Sequence, residues 1–347
     1  MKRLTVISPL NLQYEEIETP KAEGRYMLVK VERAGICATD FAIFTGNCSF
    51  VRSGEIVYPV RFGHEWSGTV VECGPDVKGF KAGDRVYSDS GISCGKCPKC
   101  LAGKYDECRH IKSVGTVNCW DGCFAEYMYI PDFNAYRLPD TVSFDEGALI
   151  EPTAISYDAF RNVELTDRST VAVIGTGAIG MSAAWLAKYL GAGRVVVIGR
   201  TDSKLDIAMQ IGATDILNNT RIDHVRAVKD MTDGLGADLV IETSGSGKSL
   251  VDGIYMTRKD GKICSLSFYE RNLDDIPVDH LVLNKISLVG GAGRFGNPQK
   301  VAKIFEENPV KLTPIITQRV KFDDMRQFII DATEKKFARI KAMVQFD

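Results

Sequence analysis

Three glycines set between an apolar run and a helical one limit what this chain can fold into. Residues 171–184 read VAVIGTGAIGMSAA, so Gly175, Gly177 and Gly180 form G-x-G-x-x-G. In such a turn the first glycine permits the sharp reversal, the second lets a pyrophosphate approach the backbone, and the third lets helix and strand pack closely. Amide donors and the helix dipole at that N-terminus then stabilise phosphates. A glycine turn that binds nothing is the alternative for an isolated match; the strand before and the helix after argue against it. Gly175, Gly177, Ala178, Ile179 and Gly180 are therefore candidate cofactor contacts.

From about residue 169, β-branched runs (STVAVIG, RVVVIG, ADLVIETSG, GKICSLS, ISLVGGAG) alternate with helical stretches (IGMSAAWLAKYLG, SKLDIAMQIG, KSLVDGIYMT). That alternation predicts a doubly wound parallel sheet covered on both faces. Thr243, just past the strand ADLVIE, joins the candidate cofactor contacts. Before about residue 150, short runs such as MLVKVERAG, SGTVVECG, DRVYSDSG and AEYMYIP lie among glycines and prolines, predicting short strands joined by turns. A length of 347 residues suits about two domains, and the expected class is α/β.

Composition narrows the partners. The 43 Lys+Arg balance 45 Asp+Glu for a net charge of −2, which leaves no charged tail for nucleic acid or an anionic membrane. No apolar stretch approaches 18 residues, and the opening MKRLTVISPLNLQYEE holds only a short apolar run broken by Pro9. We read the chain as cytoplasmic, without strong electrostatic partners.

Ten cysteines are spread unevenly, and Cys94, Cys97, Cys100 and Cys108 crowd into SCGKCPKCLAGKYDEC. Four thiolates on one short lobe make a closed tetrahedral shell, the form of structural zinc. A [4Fe–4S] cluster is the rival use of four cysteines. Gly95, Pro98 and Gly103 supply the turns. A second set is dispersed: Cys37 in GICATD, His64 and Glu65 in FGHEWSG, and Glu151 in LIEPTA. Each alone reads as a buried cysteine, a core histidine or a surface glutamate. Together a sulfur, an imidazole and a carboxylate leave an open position on zinc, the arrangement catalysis needs.

The order Cys37/Thr39/Asp40, Gly63-His64-Glu65, four-cysteine lobe, Glu151-Pro152 and Gly175 to Gly180 resembles the zinc-dependent medium-chain dehydrogenase/reductase family over essentially the whole chain. Glu151, where other branches carry a cysteine, resembles the sorbitol, threonine and sugar-alcohol dehydrogenase branch. The resemblance implies a GroES-like catalytic domain over 1–153 with its zinc lobe near 91–110, a Rossmann NAD(P)-binding domain over 154–292, and a return segment over 293–347. It further implies that Cys37, His64 and either Glu65 or Glu151 hold a catalytic zinc. That ion polarises an alcohol or carbonyl while hydride passes to or from the nicotinamide. Thr39 would relay the proton and Asp40 would orient a ligand. Ala42 stands where many relatives place an outer relay histidine. A homodimer or homotetramer is expected, with ISLVGG near 286–291 at the interface. A non-enzymatic cofactor-binding protein of the same family is the rival class.

About 20 residues past the glycine motif an acid would hold the ribose of NAD. Here RVVVIG ends in Gly199, followed by Arg200, with Lys204 one turn on. Loss of the carboxylate and gain of a guanidinium fork favour NADP(H) over NAD(H); Asp202 on the ribose of NAD is the alternative. Phe41, Trp120, Arg294 and Phe295 are candidate substrate contacts. The expected substrate is a secondary alcohol or ketone of a polyol, cyclitol or sugar derivative, with a threonine-like amino alcohol or a bulky secondary alcohol as alternatives.

Overall fold

The computed structural model describes residues 1–291, 297–334 and 337–346. In the N-terminal region β1 (Lys2–Ser8) and β2 (Asn11–Glu16) form a hairpin, followed by β3 (Tyr26–Ile36), β4 (Glu65–Cys73) and β5 (Arg85–Ser88). The short strands β6 (Gly91–Ile92) and β7 (Lys112–Ser113) bracket the cysteine-rich lobe, and β8 (Tyr127–Pro131) and β9 (Ala135–Arg137) follow. Next comes a run of six strands: β10 (Thr170–Ile174), β11 (Arg194–Gly199), β12 (Asp215–Asn218), β13 (Ala237–Glu242), β14 (Thr257–Ser265) and β15 (Ser287–Gly290). β16 (Ile316–Lys321) and β17 (Lys341–Gln345) close the series.

β16 and β17 join a sheet ordered β16-β17-β3-β4-β5-β9, with β8 also on β3. β3 is its hub, since Val29, Val31, Ala34 and Ile36 are buried against Trp66, Val70, Met128 and Val344 in one core. The six central strands form a separate, wholly parallel sheet ordered β12-β11-β10-β13-β14-β15. Every residue of β10 is buried, and so is Val195–Gly199 of β11, as helices on both faces require. Chain direction across this sheet reverses between β10 and β13, a topological switch point.

The chain divides into two compact units, one of residues 1–151 with the described parts of 294–307 and 316–347, the other of 308–315 and the described parts of 152–293. The boundary falls inside the helix Phe144–Tyr157, before Pro152. The sequence assigned all of 293–347 to the first domain, but Asn308–Ile315 groups with the second. Buried Trp185, on the helix Ala178–Tyr189, donates its indole N–H to Val310 O at 2.7 Å and holds that stretch. Among the described residues no helix is long and apolar enough to cross a membrane.

Candidate functional site

The glycine motif sits between β10 and the helix Ala178–Tyr189. Gly175 has φ +119°, and a Cβ there would meet Thr243 Oγ1 at 2.4 Å. A Cβ on Gly180 would lie 2.1 Å from Gly175 O, so helix and loop touch only without side chains. Gly177 is different: nothing lies within 4 Å of its Cβ position, which leaves an open approach to the backbone. Thr243 serves the loop from behind, its hydroxyl donating to Ile174 O at 3.0 Å.

At the end of β11, a Cβ on Gly199 would strike Thr176 Cγ2 at 2.4 Å, so packing against the glycine loop excludes an acidic residue there. Arg200 is exposed and makes no ion pair among the described residues. Asp202 is engaged elsewhere, accepting from Asn218 Nδ2 and Arg221 Nη2 at 2.6 Å each. Those two donors hold its carboxyl below the usual range. Lys204 lies half-exposed on the helix Asp202–Gln210.

In the lobe, Cys94, Cys97, Cys100 and Cys108 bring their sulfurs within 4.8 Å of one another. The Cys97–Cys100 separation is 3.5 Å, and Cys94–Cys100 and Cys97–Cys108 are 3.9 Å. A tetrahedron with zinc–sulfur bonds of about 2.3 Å has edges of about 3.8 Å, so the four sulfurs fit one ion. An iron–sulfur cubane binds each cysteine to a different iron and spreads the sulfurs farther, which disfavours that rival. Amides of Cys94 and His110 donate to Cys108 Sγ at 3.4 Å. Amide donors from Cys100 and Lys99 lower the Cys97 thiol to about 6, while burial raises Cys100 to about 12.

The second cluster joins Cys37, His64 and Glu65, whose ligand atoms also lie within 4.8 Å of one another. Cys37 is the N-cap of the helix Ala38–Thr45. Its amide donates to Asp40 Oδ2 at 2.8 Å, which fixes the cysteine at the mouth of that helix. Asp40 is fully buried, and burial raises its carboxyl to about 6. Its other oxygen faces His64 Nδ1 at 3.7 Å, and neither atom has a hydrogen-bond partner among the described residues. An imidazole whose second nitrogen faces a carboxylate is the usual setting of a metal-bound histidine, so these orphaned atoms fit a metal on the ring's far side. Burial works to lower His64, but Cys37, Asp40 and Glu151 together raise it well above its ordinary value. Thr39 places its hydroxyl 3.7 Å from Cys37 Sγ.

Glu65 opens β4 opposite Gly35, where a Cβ would lie 2.0 Å from Glu65 Oε2. Its carboxylate accepts from buried Lys341 Nζ at 2.6 and 2.7 Å, and the same ammonium donates to Ile36 O at 3.3 Å. Sequence reasoning passed over Lys341. A charged residue opening the otherwise apolar KAMVQF is the signal that could have found it. Glu151 is buried on the helix Phe144–Tyr157 but stands outside the group of three. Burial, reinforced by Glu65 and Asp89, raises it to about 8 against the pull of His64.

The substrate candidates separate. Phe41 follows Cys37 by one helical turn, its ring covered by the Arg339 guanidinium at 4.0 Å. Trp120 has other work: it stacks on Tyr26 and donates its indole N–H to Tyr129 O at 2.7 Å, which removes that donor from substrate recognition. Arg294 and Phe295 lie outside the described residues.

Known proteins share this layout. Residues 23–140 match the alcohol dehydrogenase GroES-like domain, and residues 178–307 the zinc-binding dehydrogenase domain. L-threonine 3-dehydrogenase of Bacillus licheniformis is 32% identical over 316 residues, 90% of each chain. Sorbitol dehydrogenase of Bacillus subtilis is 28% identical, covering 99% of this chain and 97% of its own. A zinc-binding dehydrogenase of Sinorhizobium meliloti, solved bound to NADP, superimposes with a TM-score of 0.89 at 28% identity, over 99% of this chain and 98% of that one. A four-cysteine cluster and a cysteine–histidine–glutamate cluster on a GroES-like unit, with a glycine loop on a Rossmann sheet, thus have one common explanation: the chain belongs to the zinc-dependent medium-chain dehydrogenase/reductase family, in its sugar-alcohol and threonine branch, as an oxidoreductase using zinc and NAD(P).

Proposed function

We propose that the enzyme interconverts a secondary alcohol and its ketone on a small polyhydroxylated substrate, a polyol, cyclitol or sugar derivative, with NADP(H) preferred. The observation that carries the alcohol chemistry is the convergence of Cys37, His64 and Glu65 with orphaned Asp40 and His64 atoms behind them. These three side chains would hold the catalytic metal, with Glu151 beside them, and the four cysteines of the lobe would hold the structural one. A bound zinc supplies Lewis acidity that makes an alcohol proton acidic near neutral pH. Asp40, whose Oδ1 faces His64 Nδ1 at 3.7 Å, would orient that ring, and Thr39 Oγ1 would take the substrate proton while giving its own toward the ribose hydroxyl of the cofactor. Ala42 stands where many relatives carry an outer relay histidine, so that residue supplies no proton acceptor.

Arg200, exposed beside Gly199 and without an ion pair among the described residues, supports the cofactor preference: a 2′-phosphate would meet a guanidinium and no carboxylate at position 199. The relatives named for sorbitol and L-threonine support a small, hydroxyl-bearing substrate. We further propose a homo-oligomer joined along β15, an edge strand exposed throughout.

A panel of polyols, cyclitols, sugar phosphates and amino alcohols, assayed on the zinc-loaded protein with NAD⁺ and with NADP⁺, tests the reading. The highest kcat/KM is expected for a polyol or cyclitol with NADP⁺. Turnover confined to amino alcohols would overturn the substrate class, and a clearly higher kcat/KM with NAD⁺ would overturn the cofactor preference.

A further inference from the structure

Glu242 closes β13 with its side chain fully buried in the second unit, and none of the chemistry above uses it. Its Oε1 accepts from the amide of Ser244 at 2.7 Å and from the Ser244 hydroxyl at 2.5 Å. Its Oε2 accepts from Tyr269 Oη at 2.7 Å and from the amide of Gly245 at 3.4 Å. Tyr269 Oη is in turn 3.0 Å from Ser265 Oγ, the last residue of β14. Burying a carboxylate is costly unless every oxygen is satisfied, and an apolar side chain of similar volume would hold two strands together at least as well. What the carboxylate adds is direction, because it fixes the loop after β13 and the segment after β14 to a single point. Two further contacts tighten the junction: Leu266 N donates to Glu242 O at 2.9 Å, and Gly245, at φ +68°, abuts Phe268 O.

Position gives this junction a purpose. In a doubly wound sheet a dinucleotide lies outside the carboxyl ends of the strands at the switch point, one mononucleotide to each half. The glycine loop and Gly199–Arg200 belong to β10 and β11, so the adenosine half lies over β10-β11-β12 and the nicotinamide half over β13-β14-β15. Glu242 and Tyr269 join the two connections at the carboxyl ends of that second half. We propose that Glu242 and Tyr269 form a clasp that shapes the nicotinamide half of the dinucleotide site, as positioning residues that touch no reacting atom.

The test uses the zinc-loaded full chain and compares the whole cofactor with its adenosine half. Tyr269→Phe keeps the ring and removes one donor to a buried carboxylate. It should raise the Kd for NADPH and NADH, read by nicotinamide fluorescence, about tenfold. The inhibition constants of 2′,5′-ADP and 5′-AMP should stay within about twofold of the parent. Glu242→Gln should act in the same direction. Equal weakening of whole cofactor and adenosine fragments, or no weakening of either, would overturn the clasp. Should Glu242→Gln fail to fold, Tyr269→Phe decides alone.

Discussion

At the scale of single residues the first unit gathers several ionisable groups around one cluster: Asp40, Glu65 and Lys341 are all buried, with Asp40 facing His64 and Lys341 bonded to Glu65. Burial by itself would lower Lys341, yet the Glu65 carboxylate at 2.6 Å leaves it raised. Removing one partner strands the other. Lys341→Met should reduce the free energy of unfolding by about 3–5 kcal/mol in urea titration, and the double change with Glu65→Gln should recover most of it. A buried titratable group sits far along the sequence. His224 lies 3.2 Å from Asp252 Oδ2 without the alignment of a hydrogen bond, and burial lowers it despite that carboxylate. The unfolded chain therefore takes this proton more readily than the folded one. Stability from this group is whole above its ordinary value of 6.5 and falls as pH drops below it toward the lowered folded value. The parent should lose more stability than His224→Gln between about pH 6.5 and 5, measured by melts across that range. The ligand-type residues were legible because Cys37, His64-Glu65 and the four-cysteine lobe stand out by residue type and spacing. Lys341 was not, because its partner lies 276 positions away and a lysine in a strand ordinarily reads as exposed.

Elements were read with most success where periodicity and glycine pattern agreed. β10, β11 and the helix between them follow directly from VAVIGTGAIG and its neighbours. The three glycines now part company. Gly177→Ala should leave the melting temperature unchanged, since its methyl group meets nothing, while weakening cofactor binding at least tenfold by occupying the open approach. Gly180→Ala should lose both stability and binding, because its methyl group would drive into Gly175 O. Thermal melts beside cofactor titrations separate the two. Gly199 shows what pattern alone could not supply: its missing carboxylate is a matter of packing against Thr176 as much as of cofactor charge. Residue type alone does not show that Trp120 stacks on Tyr26 and donates to Tyr129 O.

Over the whole molecule, β15 leaves Leu288 43% and Val289 38% exposed, beside Val282 and Leu283 on the preceding helix at 69% and 78%. An uncovered apolar edge of this kind invites pairing. Leu288→Lys should shift the protein toward smaller species in sedimentation velocity, and an unchanged distribution would remove β15 from the assembly. The division of the chain was only partly legible, because a stretch as short as Asn308–Ile315 groups with the second unit through a tryptophan hydrogen bond and two buried apolar side chains, Leu312 and Ile315, and carries no pattern of its own. The route of the chain also sets a timetable. Glu65 emerges early during synthesis, but Lys341, which neutralises it, follows 276 residues later. At 5–20 residues per second that is roughly 14–55 s. Throughout that interval the nascent Cys37, His64 and Glu65 have no ammonium competing for the carboxylate. A metal ion arriving co-translationally would therefore meet a more acidic and more accessible cluster than one arriving after release.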